Sequence, residues 1–165
     1  MSDLASSDPA VRPVIPPVTA GSPGAKVSGG DVPSVVIVDA DDRTRASLVG
    51  LLGIRGRVRV LGDAAQAKVA VSLIRDCHPD VIVLDPRLPD LEAGLLAIRT
   101  IRNLDPDIRI LAMGPMGTFE MAAAEAGADA FVRKTFRPDE LADAVVRCAT
   151  VTRDAPARPE PGRDA

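Results

Sequence analysis

The chain has no tryptophan and no tyrosine, and its three phenylalanines leave aromatics at 2% of 165 residues. Without aromatic faces there is no platform on which unstacked bases could be held, which argues against single-stranded nucleic acid as a ligand. Positive charge is not in excess either: the net charge is −3 and the sequence pI about 5.2, whereas a nucleic-acid footprint calls for a basic patch. Two cysteines, Cys77 and Cys148, are too few for a disulfide scaffold and lack metal-site spacing. The single histidine, His78, cannot make a metal cluster; placed before Pro79 near the expected end of a helix, it suits the helix dipole instead. The opening MSDLASSDPA has neither the basic start nor the apolar stretch of a signal peptide, and no apolar run is long enough to cross a bilayer. A cytoplasmic protein with reduced thiols, and no membrane partner, is the expectation.

What remains is organised around short apolar runs. Residues 1–33 are rich in Pro, Gly and Ser without apolar period, and residues 151–165 are mostly Pro, Arg, Asp, Glu and Ala, so both read as disordered tails around one folded domain at 34–150. Within that domain the runs 35–38, 58–61, 81–84, 108–113 and 130–132 read as strands, mostly continuous in apolar residues as expected when helices cover both faces of a sheet. Helical periods lie between them. Ala67, Ala70, Val71 and Ile74 recur at i, i+3, i+4, i+7 behind Asp63, which is expected to cap that helix. Leu141, Ala144, Val145 and Cys148 repeat the pattern after Pro138, with Asp139 and Glu140 in the first turn. Gly53 or Gly56 should end the first helix and Gly127 the fourth. The fold class is therefore α/β: a flavodoxin-like, doubly wound, five-stranded parallel sheet, (βα)5, with strand order 2-1-3-4-5.

Three of the runs end on charge. VVIVD stops on Asp39, VIVLD on Asp85 and AFVRK on Lys134. With the first and third strands neighbours about 4.8 Å apart, the two carboxylates would face each other at the carboxyl edge of the sheet, where such folds bind ligands. Lys134 stands two strands from Asp85, within side-chain reach. Two acids and a lysine so placed suggest a phosphoryl-transfer pocket. The same three residues could equally form a buried ionic cluster that ties loops together. Asp41 and Asp42 are read first as precharging or capping the first helix, and Phe131 and Cys148 as packing.

The segments VVIVDADDRTRASLVGLL, PDVIVLDPRLPD, EAGADAFVRKT and RPDEL resemble the receiver domain of bacterial two-component response regulators, over nearly all of residues 34–150. The resemblance implies that Asp85 is the phosphoacceptor and, with Asp39, part of the acidic Mg²⁺ pocket, that Lys134 is the pairing cation, and that Phe131 is the switch aromatic; Asp41 is a further candidate ligand if the loop shifts. It also exposes departures. Ala40 stands at the second acidic position, which in the family holds Mg²⁺, so Mg²⁺ binding is expected to be weakened. Gly114 replaces a Ser or Thr whose hydroxyl meets the phosphoryl group, although Thr118 lies four residues on. Pro86 and Pro115 offer no backbone N–H where relatives supply one. Gly94 falls one place later than usual, hinting at an altered loop around Glu92 and Ala93.

The expectation is thus an atypical, stand-alone receiver of a two-component phosphorelay, with a degenerate pocket, acting through protein contacts and catalysing at most its own phosphorylation. Its partners would be a sensor histidine kinase or another signalling protein, with a homodimer through the fourth helix, fifth strand and fifth helix, and no direct nucleic acid. The alternative is a phosphorylation-independent pseudo-receiver that docks partners. A small Asp-dependent phosphatase is disfavoured because Arg87 stands where a second catalytic acid would be needed.

Overall fold

Valine, isoleucine and leucine fill the strand positions, and burial on both faces is the reason such runs can be continuous. In the computed structural model, which describes residues 11–12, 32–54, 56–115, 117–134 and 137–150, every residue of β2 (Ser34–Val38) and β4 (Val81–Leu84) is buried. The elements follow one another as β1 (Val11–Arg12), β2, α1 (Asp42–Gly53), β3 (Arg59–Ala64), α2 (Ala67–Cys77), β4, α3 (Leu91–Leu104), β5 (Arg109–Gly114), α4 (Thr118–Ala126), β6 (Ala130–Arg133) and α5 (Pro138–Thr150). The sheet order is β1-β3-β2-β4-β5-β6. Counted from β2, the five parallel strands stand as 2-1-3-4-5, the order expected from the sequence.

Successive strand residues point to opposite faces and build two cores. Val36, Val38, Ile82 and Ile110 meet α2, α3 and α4 through residues such as Ile74, Ile98, Ile101 and Ala123. Val35, Ile37, Val83 and Leu111 meet α1 and α5 through Leu48, Leu52, Leu141, Val145 and Cys148. All four stripe positions read for α5 are buried, and Ala70 and Ile74 of α2 likewise. Gly127 closes α4 in the left-handed region at φ 111°, and α1 ends on Gly53. Among the described residues no helix is long and apolar enough to cross a membrane.

Several expectations are corrected. The second of the expected strands, β3, runs from Arg59 to Ala64 rather than over 58–61, so Asp63 lies inside it and does not cap α2. Its buried carboxylate accepts a 2.6 Å hydrogen bond from Arg45 Nε, and the N-cap of α2 is Gln66, without a side-chain cap bond. A buried acid needs a cation more than an exposed helix end needs a cap. Glu92 and Ala93 belong to the first turn of α3, not to a loop, and Asp90 caps that helix by accepting the Ala93 N–H at 2.9 Å. The late glycine has its own reason. A Cβ at Gly94 would lie 1.7 Å from the Pro86 carbonyl oxygen, so α3 rests directly on the backbone that follows Asp85. Apart from these corrections, Val11 and Arg12 pair antiparallel with Ala64 and Asp63 at the edge of the sheet. The remainder of residues 1–31, and residues 151–165, lie outside the described residues.

Candidate functional site

Register brings the acids together. Val38 of β2 pairs with Leu84 of β4, so the next residues, Asp39 and Asp85, leave adjoining strands side by side. Their backbones stay anchored, with Asp85 N–H donating to Val38 O and Asp39 N–H to Ala64 O, each at 3.0 Å. Both residues are buried, at 2% and 3% exposure. Lys134 follows β6, and its N–H donates to Gly114 O at 3.2 Å. From there its ammonium passes over the end of β5 to donate to Asp85 Oδ2 at 2.8 Å and to stand 2.6 Å from Asp39 Oδ2. The second contact is a buried ion pair, and apart from Lys134 Asp39 Oδ2 meets no donor among the described residues. Asp39 Oδ1 accepts the Asp41 N–H at 2.9 Å.

A second cation meets Asp85. The guanidinium of Arg87 forks onto the carboxylate, Nε to Oδ1 at 3.1 Å and Nη2 to Oδ2 at 2.9 Å, while the Arg87 N–H donates to Oδ1 at 2.9 Å. Burial pushes the Asp85 carboxyl up, but hydrogen bonds from Arg87 and Lys134 outweigh it and hold the group below the usual carboxylate range. For Lys134, burial pulls the ammonium down and the two carboxylates more than reverse this, leaving it above its ordinary value. Two negative charges and two positive ones therefore close the site.

The donors do not make a fitting Mg²⁺ cage. Among the described residues no group of three or more His, Cys, Asp or Glu side chains converges. Asp41 Oδ1 accepts the Thr44 N–H at 2.7 Å and caps α1, as its plainer reading expected, and this bond chiefly lowers its pKa. Ala40 presents no oxygen beyond its backbone, and both oxygens of Asp85 are already engaged by cations. Mg²⁺ asks for near-octahedral oxygen ligation.

Around the pair, Gly114 ends β5 with no hydroxyl, and a Cβ there would stand 3.6 Å from Phe131 Cζ and 3.9 Å from Pro86 Cδ. Phe131 is partly buried and packs against the core beneath α2, α3 and α4. Pro115 is exposed, as is Thr118, which opens α4. Two cations have contacts that the sequence did not announce: Arg87 on Asp85, and Arg45, which donates from Nη1 to the Asp39 carbonyl at 2.7 Å while holding Asp63. A count of strand-end charges, two acids against one lysine, was the available signal for a missing cation.

Known proteins share this fold. Residues 35–146 match the response regulator receiver domain family. Over 113 residues the chain is 36% identical to the DNA-binding transcriptional activator DevR/DosR of Mycobacterium tuberculosis, covering 67% of this chain but 52% of that longer protein. A LuxR-family two-component response regulator from Aurantimonas sp. SI85-9A1 superposes with a TM-score of 0.65 at 32% identity, over 72% of this chain and 86% of that one. The chemotaxis protein CheY of Thermotoga maritima is 31% identical over 113 residues, 67% of this chain and 92% of that protein. Agreement over almost the whole of a free-standing relative fixes the affiliation: the chain belongs to the receiver domains of two-component response regulators.

Proposed function

We propose that this receiver signals through protein contacts, with Asp85 as its nominal phosphoacceptor in a pocket that takes up phosphoryl groups poorly. The observation that carries the reading is the state of Asp85, whose two oxygens are occupied by Arg87 and Lys134 beside a Gly114 that has no hydroxyl. Phosphorylation requires one Asp85 oxygen to attack phosphorus as the leaving group departs, and the equatorial oxygens then need donors aimed at their growing charge. Gly114 supplies none from its side chain, Pro86 and Pro115 have no N–H, and the Arg87 N–H is already committed to Asp85. Each absent donor costs on the order of 3 kcal/mol in the barrier.

The partner in this reading, met in the cytoplasm, is a sensor histidine kinase or another signalling protein. The surface of α4, β6 and α5 is the contact face, also for a homodimer; Met121 on α4 stands 68% exposed there. Direct nucleic-acid binding and catalysis beyond self-phosphorylation form no part of it. The test is intact mass after incubation with Mg²⁺ and acetyl phosphate, beside Asp85→Asn. Incorporation far below one phosphoryl group per chain is expected. Full Mg²⁺-dependent incorporation that vanishes in the variant would overturn the degenerate pocket and restore a conventional switch.

A further inference from the structure

The charge at Asp85 is balanced by the protein itself. Asp39 and Asp85 face Lys134 and Arg87, and the two cations divide the labour. Lys134 lies between the acids, whereas Arg87 covers Asp85 from the solvent side: its side chain is 44% exposed and the carboxylate beneath it 4%. The planar fork matches the two carboxylate oxygens, and the Arg87 N–H bond to Oδ1 fixes the backbone from which the side chain folds back. A divalent ion that takes Asp85 as a ligand must displace the guanidinium from an oxygen, or stand beside a positive charge in a partly desolvated site. No third acid converges with the pair as a ligand among the described residues.

We propose that Arg87 is a built-in counter-ion of Asp85 that competes with divalent metal for the carboxylate, so that the acidic pair is held by protein cations. The inference rests on Asp85 being the working carboxylate of the pocket and adds how access to it is controlled. Were Arg87 an ordinary surface partner, its removal would change nothing, since exposed ion pairs contribute little. The fork together with the backbone bond separates it from that class.

The experiment is Mg²⁺ titration by calorimetry, without phosphodonor, on the full chain, on Arg87→Ala and Arg87→Gln, and on each combined with Asp85→Asn. Circular dichroism establishes that each is folded, and the near-isosteric Gln variant guards against a packing defect in the Ala variant. Both single variants are expected to bind Mg²⁺ about tenfold more tightly than the wild type, a gain that Asp85→Asn removes. Affinities that agree within about twofold across wild type and single variants, whether tight or weak, overturn the proposal, as does a gain that survives Asp85→Asn. Phosphoryl uptake by the wild type reads the proposed function, and the difference in Mg²⁺ affinity between wild type and Arg87 variants reads this inference, so a failure of either shows in its own assay.

Discussion

Replacing Lys134 by methionine probes the centre of the site. The ammonium reaches Asp39 at 2.6 Å and Asp85 at 2.8 Å from a side chain that is 19% exposed. Methionine keeps much of the stem and removes the charge. Asp85 retains Arg87, but Asp39 is left with one donor, the Asp41 N–H. Breaking a buried pair costs about 3–5 kcal/mol when nothing replaces the partner; with Arg87 in place and the lysine partly solvated, about 2–3 kcal/mol is the expected loss. In urea, where slopes run ~1–3 kcal/mol/M, that lowers the midpoint by about 0.7–3 M. The pH dependence follows from the shifts. Asp85 is depressed in the folded state, so its contribution is present above the unfolded carboxylate value and disappears as pH falls through the lower, folded one. Lys134 is raised, so its contribution is complete below the unfolded lysine value and lost as pH climbs through the higher, folded one. The gap between wild type and variant should therefore be widest around neutrality and close towards acid, and adding Asp39→Asn to the variant should recover part of the loss. A deficit below ~0.5 kcal/mol, or one independent of pH between neutrality and acid, would refute a buried three-residue cluster, because surface substitutions alone give that much.

Gly94→Ala places a methyl 1.7 Å from the Pro86 carbonyl oxygen, so α3 or the loop after Asp85 must move. A loss of at least ~3 kcal/mol in urea denaturation is expected, at the upper end of overpacking costs. Gly114→Ser, by contrast, meets Phe131 only at 3.6 Å and should change stability by less than ~1 kcal/mol, read from the thermal midpoint. Arg45→Leu strands the Asp63 carboxylate and the Asp39 carbonyl, at a cost of about 3–5 kcal/mol by the same assay.

The sheet could be read from the chain because apolar runs in β2 and β4, stripes in α5 and the handedness of crossovers leave few arrangements. Asp39, Asp85 and Lys134 were legible for the same reason: each stands just past a strand end, and strand order then decides who meets whom. Asp63 was misread because a local cap signal was outweighed by Arg45, 18 residues away, a pairing that no spacing rule announces. Arg87 was hidden differently. It lies two residues from Asp85, but only the turn that sends its N–H back to Oδ1 folds the guanidinium over the carboxylate. Asp41 had two readings, ligand or cap, and its bond to Thr44 N–H favours the cap. The pairing of Val11–Arg12 with β3 had no apolar period to betray it.

The central claim is that this pocket is a receiver site weakened by particular residues, and restoring them tests it most directly. The measurement is the initial rate of phosphoryl incorporation from acetyl phosphate with Mg²⁺, for the wild type beside Ala40→Asp/Gly114→Ser, with Asp85→Asn as the blank. The hydroxyl alone should be worth about a hundredfold in rate, so the restored variant should outpace the wild type by at least about that factor. Equal rates, or a wild type already as fast as the restored variant, would contradict the account.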